Sequence, residues 1–122
     1  MKNKKNIYLN SRDELYRIEI SKIVYFEADG NYTNIVLSNN IKAVVCMNLL
    51  HMQDFLKEML SAQDNSMFCR IGKRYIVNLS YIFQINILRQ KLVLSDGDRF
   101  VFQLDISKDA LKKLKGLFVM KK

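Results

Sequence analysis

Short apolar runs separated by polar turns dominate the hydrophobic pattern of this chain. Residues 14–20 (ELYRIEI) alternate between apolar and polar positions, which is typical of a strand with one buried face. Residues 23–28 (IVYFEA) form a β-branched and aromatic run of the kind found in strands buried on both faces. The same reasoning predicts further strands over residues 32–37, 41–46, 67–71, 75–79, 81–87, 88–94 and 99–104.

Two segments have helical rather than strand periodicity. Residues 48–60 place a stripe of apolar side chains at helical spacing behind Asn48, which is a suitable N-cap. Residues 107–119 place apolar side chains on one face and lysines on the other, with Asp105 or Ser107 as the cap. The two predicted stripes are Leu49, Met52, Phe55, Leu56, Met59 and Leu60, and Ala110, Leu111, Leu114, Leu117 and Phe118.

The order of these elements favours a mainly β fold of short, mostly antiparallel strands over an alternating α/β sheet. Two Asp-Gly pairs, at 29–30 and 96–97, suit turns that need positive φ, and the second pair predicts a hairpin with the strand over 99–104. The 122 residues contain no proline and no low-complexity linker, so we expect a single domain over residues 1–122. Residues 1–6 are predicted to be a flexible basic N-terminus.

The net charge of +8 is unevenly distributed along the chain. Residues 23–69 carry two Lys/Arg against five Asp/Glu, whereas residues 70–122 carry twelve against four. A one-sided positive field of this kind attracts polyanions, nucleic acid first and anionic membrane second. The alternative interpretation is a solvated, lysine-rich surface.

Few residues offer catalytic or metal-binding chemistry. The one histidine, His51, is predicted to be an exposed helix residue, and Cys46 and Cys69 lie in apolar runs where burial is expected. Without a nucleophile–base pair or a Cys/His cluster, we expect no enzyme, no metal site and no cofactor. No apolar run reaches the roughly 18–20 residues of a membrane span, so a cytoplasmic location without membrane partners is expected.

Four stretches of the chain resemble one family, the LytTR DNA-binding domain of bacterial transcription regulators. They are EADGNY (27–32), NLLHMQDFL (48–56), F-x-R-I-x-K-x-Y-I-V-N (68–78) and LSDG (94–97), and the likeness extends from about residue 5 to residue 115. The resemblance implies an elongated arrangement of antiparallel strands with a helix packed alongside. It also implies that side chains from separate loops enter successive major grooves of double-stranded DNA and touch the phosphates between them.

The resemblance identifies candidate DNA-binding residues in three loops. Gly72-Lys73-Arg74 is expected to be a loop between two strands, and Arg70 precedes it, either reaching phosphate or pairing with a carboxylate such as Glu27. Asn31, Tyr32 and Asn34 lie where the family places a second base-reading loop and the strand after it, and Lys108 lies near the third loop. The alternatives are that Asn31 only accommodates the turn and that Tyr32 packs against the fold. Asn78, a polar residue inside an apolar strand, is assigned a structural role instead.

Two positions depart from the family's pattern. Gly72 stands where members often carry His, and Asp105 stands about where an Arg usually reaches a base before the last helix. A carboxylate repels phosphate but accepts a hydrogen bond from the cytosine amino group, so we expect weaker or altered base readout. Lys108 restores charge there, although its ammonium is a point charge and not a bidentate fork.

The expected function is therefore a DNA-binding transcription regulator, either alone or as the output domain of a response regulator. Paired repeats in promoter DNA, a homodimer formed on them, and a receiver domain or sensor kinase system are the expected partners. The alternative is a protein-interaction or oligomerisation module on the same fold with weakened DNA recognition. RNA binding through the aromatic-rich strands is a lesser alternative, because those aromatics alternate as core residues do.

Overall fold

The computed structural model describes residues 5–119. Ten strands form three antiparallel sheets, and three α-helices pack with them. The strands are β1 (Asn6–Asn10), β2 (Leu15–Glu19), β3 (Ile23–Asp29), β4 (Tyr32–Leu37), β5 (Lys42–Val45), β6 (Phe68–Ile71), β7 (Tyr75–Asn78), β8 (Ile82–Asn86), β9 (Lys91–Ser95) and β10 (Val101–Asp105). The helices are α1 (Leu49–Met59), α2 (Ala62–Asn65) and α3 (Lys108–Phe118).

The central sheet has five strands in the order β5-β4-β3-β7-β6 and is covered on both faces. Its middle strand β3 is the apolar run of the sequence, and a β-bulge between Ile23 and Tyr25 shifts its side-chain alternation. Ile23 and Phe26 therefore point into one core, while Val24 and Tyr25 point into the other. A strand that contributes to two cores has no solvent face, which is why its sequence does not alternate with polar residues.

One face of the central sheet is covered by the β1–β2 hairpin and α1. Asn48 caps α1, since its Oδ1 accepts a hydrogen bond from the His51 backbone N–H at 2.8 Å. The helix then buries Leu49, Met52 and Leu56 against the sheet.

The opposite face is covered by the three-stranded sheet β10-β9-β8 and by α3. Leu111 and Leu114 are the buried residues of α3. The polar side chain of Asn78 on β7 is fully buried, and its Nδ2 donates to the Ile23 carbonyl at 2.8 Å while its Oδ1 accepts from the Ser80 N–H at 2.9 Å. The structural role predicted for Asn78 is confirmed.

The mainly β, antiparallel fold class is confirmed, and several local predictions are wrong. The sequence pattern indicates neither β1 nor α2, and residues 87–90 form a turn before β9 rather than the start of a strand. Met59, Leu117, Phe118 and Cys46 are exposed. Met59 lies on the solvent side of the last turn of α1, where Leu56 and Leu60 are buried, and Leu117 and Phe118 lie beyond Leu114, the last buried residue of α3. Of the N-terminus predicted to be flexible, residues 1–4 lie outside the described residues, whereas Lys5 Nζ pairs with Asp64 at 3.0 Å.

No helix within residues 5–119 combines the length and the apolar character needed to cross a bilayer.

Candidate nucleic-acid interface

Two of the predicted DNA-binding loops lie at the same end of the central sheet. Strands β3 and β7 are antiparallel and pair Glu27 with Tyr75, so the end of β3 meets the beginning of β7. The Ala28 N–H donates to the Arg74 carbonyl at 2.8 Å and extends this pairing into the loop. The β3–β4 turn around Gly30 and the β6–β7 loop at 72–74 therefore emerge side by side.

The third predicted segment, the junction between β10 and α3, faces the β6–β7 loop across a groove of about 180 Å³. Residues 71–75 line one side of this groove, and Asp105, Ile106, Ser107 and Ala110 line the other. Tertiary structure thus brings together three segments that are far apart along the chain: two face each other across the groove, and the β3–β4 turn lies beside the β6–β7 loop. We refer to the groove together with these three segments as the loop end.

Lys73 is the exposed cation at the tip of the β6–β7 loop. Within residues 5–119 its ammonium makes no salt bridge, so no internal partner competes with an external anion. Gly72 precedes it at φ 63°, and a Cβ built there would meet nothing within 4 Å. Backbone conformation, and not lack of space, is what favours glycine at this position.

Arg74 is held by two neighbours but keeps access to solvent. Its Nη2 lies 2.9 Å from Glu27 Oε2, and its guanidinium carbon lies 5.2 Å from the centroid of the Tyr75 ring. The side chain is nevertheless 61% exposed. An ion pair so exposed contributes at most about 1 kcal/mol, so it orients the guanidinium without preventing contact with a phosphate.

Arg70 is half-buried and bonded to the loop that follows it. Its Nε donates to the Gly72 carbonyl at 3.0 Å and its Nη2 to the Lys73 carbonyl at 3.1 Å. Its Nη1 donates to Gln53 Oε1 on α1 at 3.0 Å. The predicted alternative of an Arg70–Glu27 ion pair is wrong, because Arg74 is the partner of Glu27.

The β3–β4 turn presents two of its three predicted residues to solvent. Asn31 and Tyr32 are exposed, and Tyr32 begins β4. Asn34 lies two residues further on and is only 7% exposed, between Glu27 on β3 and Val44 on β5. Its position leaves little side-chain surface for a ligand.

At the β10–α3 junction, Asp105 forms an ion pair with Lys91 across the β9–β10 pair. The hydrogen bond from Lys91 and its positive charge lower the pKa of the Asp105 carboxyl, so the group is ionised at neutral pH. The cap of α3 is Ser107, whose Oγ accepts from the Ala110 N–H at 3.3 Å, so of the two predicted caps Asp105 is the wrong one. Lys108 is the exposed first residue of that helix.

Sequence reasoning did not find Gln53 as a support of the loop end. Gln53 is an exposed position on α1, 17 residues before Arg70, and nothing in its local pattern distinguishes it from a solvated helix residue. The contact arises only because α1 packs beside β6 in the folded chain.

A family model, the LytTr DNA-binding domain, matches residues 13–118. The chain belongs to the LytTR family. The family predicted from the four sequence stretches is thereby confirmed.

Among solved structures, this LytTR domain is similar to the LytTr DNA-binding domain of a Bacillus cereus protein described as a methyl-accepting/DNA response regulator. The two share 18% sequence identity with a TM-score of 0.63, over 97% of this chain and 100% of that one. At this identity the likeness establishes a shared fold. A search of curated proteins found no match. LytTR is a DNA-binding family and not an enzyme family.

Proposed function

We propose that this LytTR domain regulates bacterial transcription by binding double-stranded DNA through its loop end. The observation that carries the proposal is a groove between the β6–β7 loop and the β10–α3 junction, with the β3–β4 turn beside that loop and Lys73 free of salt bridges among the described residues. Residues 70–122 carry twelve Lys/Arg against four Asp/Glu, and this positive balance attracts a polyanion.

The side chains of the loop end divide between phosphate contact and base contact. Lys73 and Arg74 donate charge-assisted hydrogen bonds to phosphate oxygens or to guanine edges. Asn31 reads a base edge or binds phosphate, with Tyr32 beside it, and Lys108 contributes charge at the third segment. Asn34 and Arg70 complete the candidate set, although burial and internal hydrogen bonds restrict both of them.

Asp105 is expected to change which bases are preferred at the third segment. Its ionised carboxylate repels phosphate and accepts only from a donor such as the cytosine amino group. The ion pair with Lys91 reduces this repulsion, so the departure from the family pattern alters readout without abolishing binding.

We further propose how the domain assembles on DNA and how it is used in the cell. Separate loops contact successive major grooves, a homodimer forms on paired promoter repeats, and the domain acts in the cytoplasm as the output of a receiver domain or sensor kinase system. The alternative, suggested by Gly72 and Asp105, is a protein-interaction or oligomerisation module with weakened DNA recognition.

Selection of bound duplexes from a random library, followed by affinity measurements across a salt series, distinguishes these functions. Enriched pairs of short repeats support a sequence-reading regulator. With about 6–10 phosphate contacts, affinity is expected to fall roughly 10³–10⁵-fold between about 50 and 200 mM salt. A chain that binds no duplex even at low salt excludes DNA binding and favours the protein-interaction module.

Lys73→Ala tests the loop assignment within that experiment. Loss of one phosphate contact should weaken binding to all duplexes and lower the slope of log K against log salt by about one. Lys57→Ala removes the same charge from an exposed position on α1 and is the matched control. Equal effects of the two variants would show that only net charge matters, and the loop assignment would then be wrong.

A further inference from the structure

The β8–β9 turn, residues 87–90, lies beside the loop end although no role has been assigned to it. The Ile106 N–H donates to the Gln90 carbonyl at 3.1 Å, and Ile106 is one of the residues that line the groove. Lys91, the next residue, forms the ion pair with Asp105. The turn is therefore fastened to the β10–α3 junction by both backbone and side chain.

Local hydrogen bonds hold this turn in one conformation. The Gln90 N–H donates to the Ile87 carbonyl at 3.2 Å, and the Arg89 N–H donates to Asn86 Oδ1 at 3.0 Å. Gln90 adopts φ 56°, a left-handed conformation that few non-glycine residues take and that closes the turn back into β9. A turn held in this way loses little conformational freedom when a ligand binds.

The two residues at the tip are Leu88 and Arg89, and both point to solvent. Leu88 is 82% exposed, the highest value among the exposed large apolar side chains of the described chain, so it contributes almost nothing to either core. Arg89 is also exposed and makes no salt bridge within residues 5–119. An apolar side chain beside a cation with no acidic partner suits a ligand that offers both apolar carbon and negative charge.

We infer that the β8–β9 turn is a fourth DNA-contacting segment, an inference that rests on the proposed function. The Arg89 guanidinium binds a backbone phosphate next to the groove, and Leu88 packs against deoxyribose carbons or base edges there. The sugar-phosphate backbone presents both chemistries within one nucleotide, which matches the Leu-Arg pair.

The two contacts predict different salt behaviour, which makes them separable by experiment. Binding of the whole chain is measured by fluorescence anisotropy with the duplex enriched from the library, or with a mixed-sequence duplex when none is enriched. Arg89→Ala should weaken binding several-fold and lower the salt slope by about one. Leu88→Ala should weaken binding several-fold and leave the salt slope unchanged, because no counterion is released by an apolar contact.

Arg99→Ala is the matched control, since Arg99 is an exposed arginine in the turn before β10, at the opposite end of the same three-stranded sheet. A salt slope that falls equally in Arg89→Ala and Arg99→Ala, or in neither, overturns the inference. Thermal unfolding midpoints of all variants should stay within a few degrees of the wild type, because these side chains are exposed.

Lys73→Ala, measured in the same series, separates this inference from the proposed function. If Lys73→Ala weakens binding while Arg89→Ala and Leu88→Ala do not, the turn is not a contact and the function stands. If wild-type chain binds no duplex at low salt, both proposals are overturned.

Discussion

Tyr25 and Asn78 are two polar side chains that are buried in the domain. Asn78 is fully buried with its amide hydrogen-bonded at both ends, so it holds the end of β7 against the beginning of β3. Tyr25 is 9% exposed and packs edge-on against the rings of Tyr75 and Phe102. Both roles follow from the enclosure of the central sheet on two faces.

The stability of the domain at alkaline pH should depend on Tyr25. Burial is the main cause that raises the pKa of Tyr25 to about 12. The nearby charges of Glu27 and, after it, of Tyr75 act in the same direction. The hydroxyl ionises near pH 10 in the unfolded chain, so its contribution to the free energy of unfolding is present below about pH 10 and is lost as pH rises toward about 12.

The free energy of unfolding of Tyr25→Phe, measured with urea, should equal that of the wild type near pH 8. Near pH 11 it should have fallen less than that of the wild type. Tyr8→Phe alters a 54% exposed tyrosine and should behave as the wild type does at both pH values. An equal alkaline loss of stability in Tyr25→Phe and the wild type would show that Tyr25 does not titrate differently on folding.

The β6–β7 hairpin illustrates how one element supports another at the loop end. Arg70 on β6 bonds two carbonyls of the loop and one amide oxygen of α1, so the guanidinium fastens the loop to the helix. Three acceptors in different directions require the planar fork of arginine, which a lysine ammonium does not reproduce.

Arg70→Ala should therefore weaken DNA binding, and Arg70→Lys should restore little of the loss. A residue that contacts phosphate directly would behave differently, because lysine keeps the charge. Amide hydrogen exchange at Ala28, whose N–H donates to the Arg74 carbonyl of the loop, supplies an independent measurement without DNA, and both variants should exchange faster there.

Gln53→Ala removes a single acceptor and should give a smaller change in the same exchange rate. Full recovery of binding in Arg70→Lys with unaltered exchange would assign Arg70 to phosphate contact instead.

The whole molecule consists of two cores that share one sheet. Met52 of α1 is buried in the first core and Leu111 of α3 in the second, and strand β3 supplies side chains to both. Because neither core can lose β3 without exposing the other, we expect the domain to unfold in one cooperative step.

Met52→Ala and Leu111→Ala should each lower the free energy of unfolding by about 2–5 kcal/mol while the transition stays single. Far-UV circular dichroism and tyrosine fluorescence should give coincident urea curves, tyrosine being the usable fluorophore in a chain without tryptophan. Curves that separate in either variant would show that the two cores unfold independently.

The amino-acid sequence by itself determined the features that depend on neighbouring residues. Strand runs, the helix starts, the Asp-Gly turns and the capping role of Asn48 follow from local patterns, and the structure agrees with them. The family likeness could also be identified, because its stretches keep their order along the chain. Strand β1 and helix α2 were exceptions, since β1 has only five residues and both its ends are asparagine, which strands disfavour, and α2 has only four residues.

Only the tertiary structure decided which distant groups meet. Helical spacing places Met59 on an apolar stripe, yet it does not show that Met59 faces solvent while Leu56 and Leu60 beside it are buried. Glu27 pairs with Arg74, 47 residues away, and not with Arg70, because strand register brings the end of β3 to the loop. The β8–β9 turn likewise joins the loop end through the backbone hydrogen bond from Ile106 to Gln90, since contacts between distant segments depend on how the elements pack and not on chain neighbours.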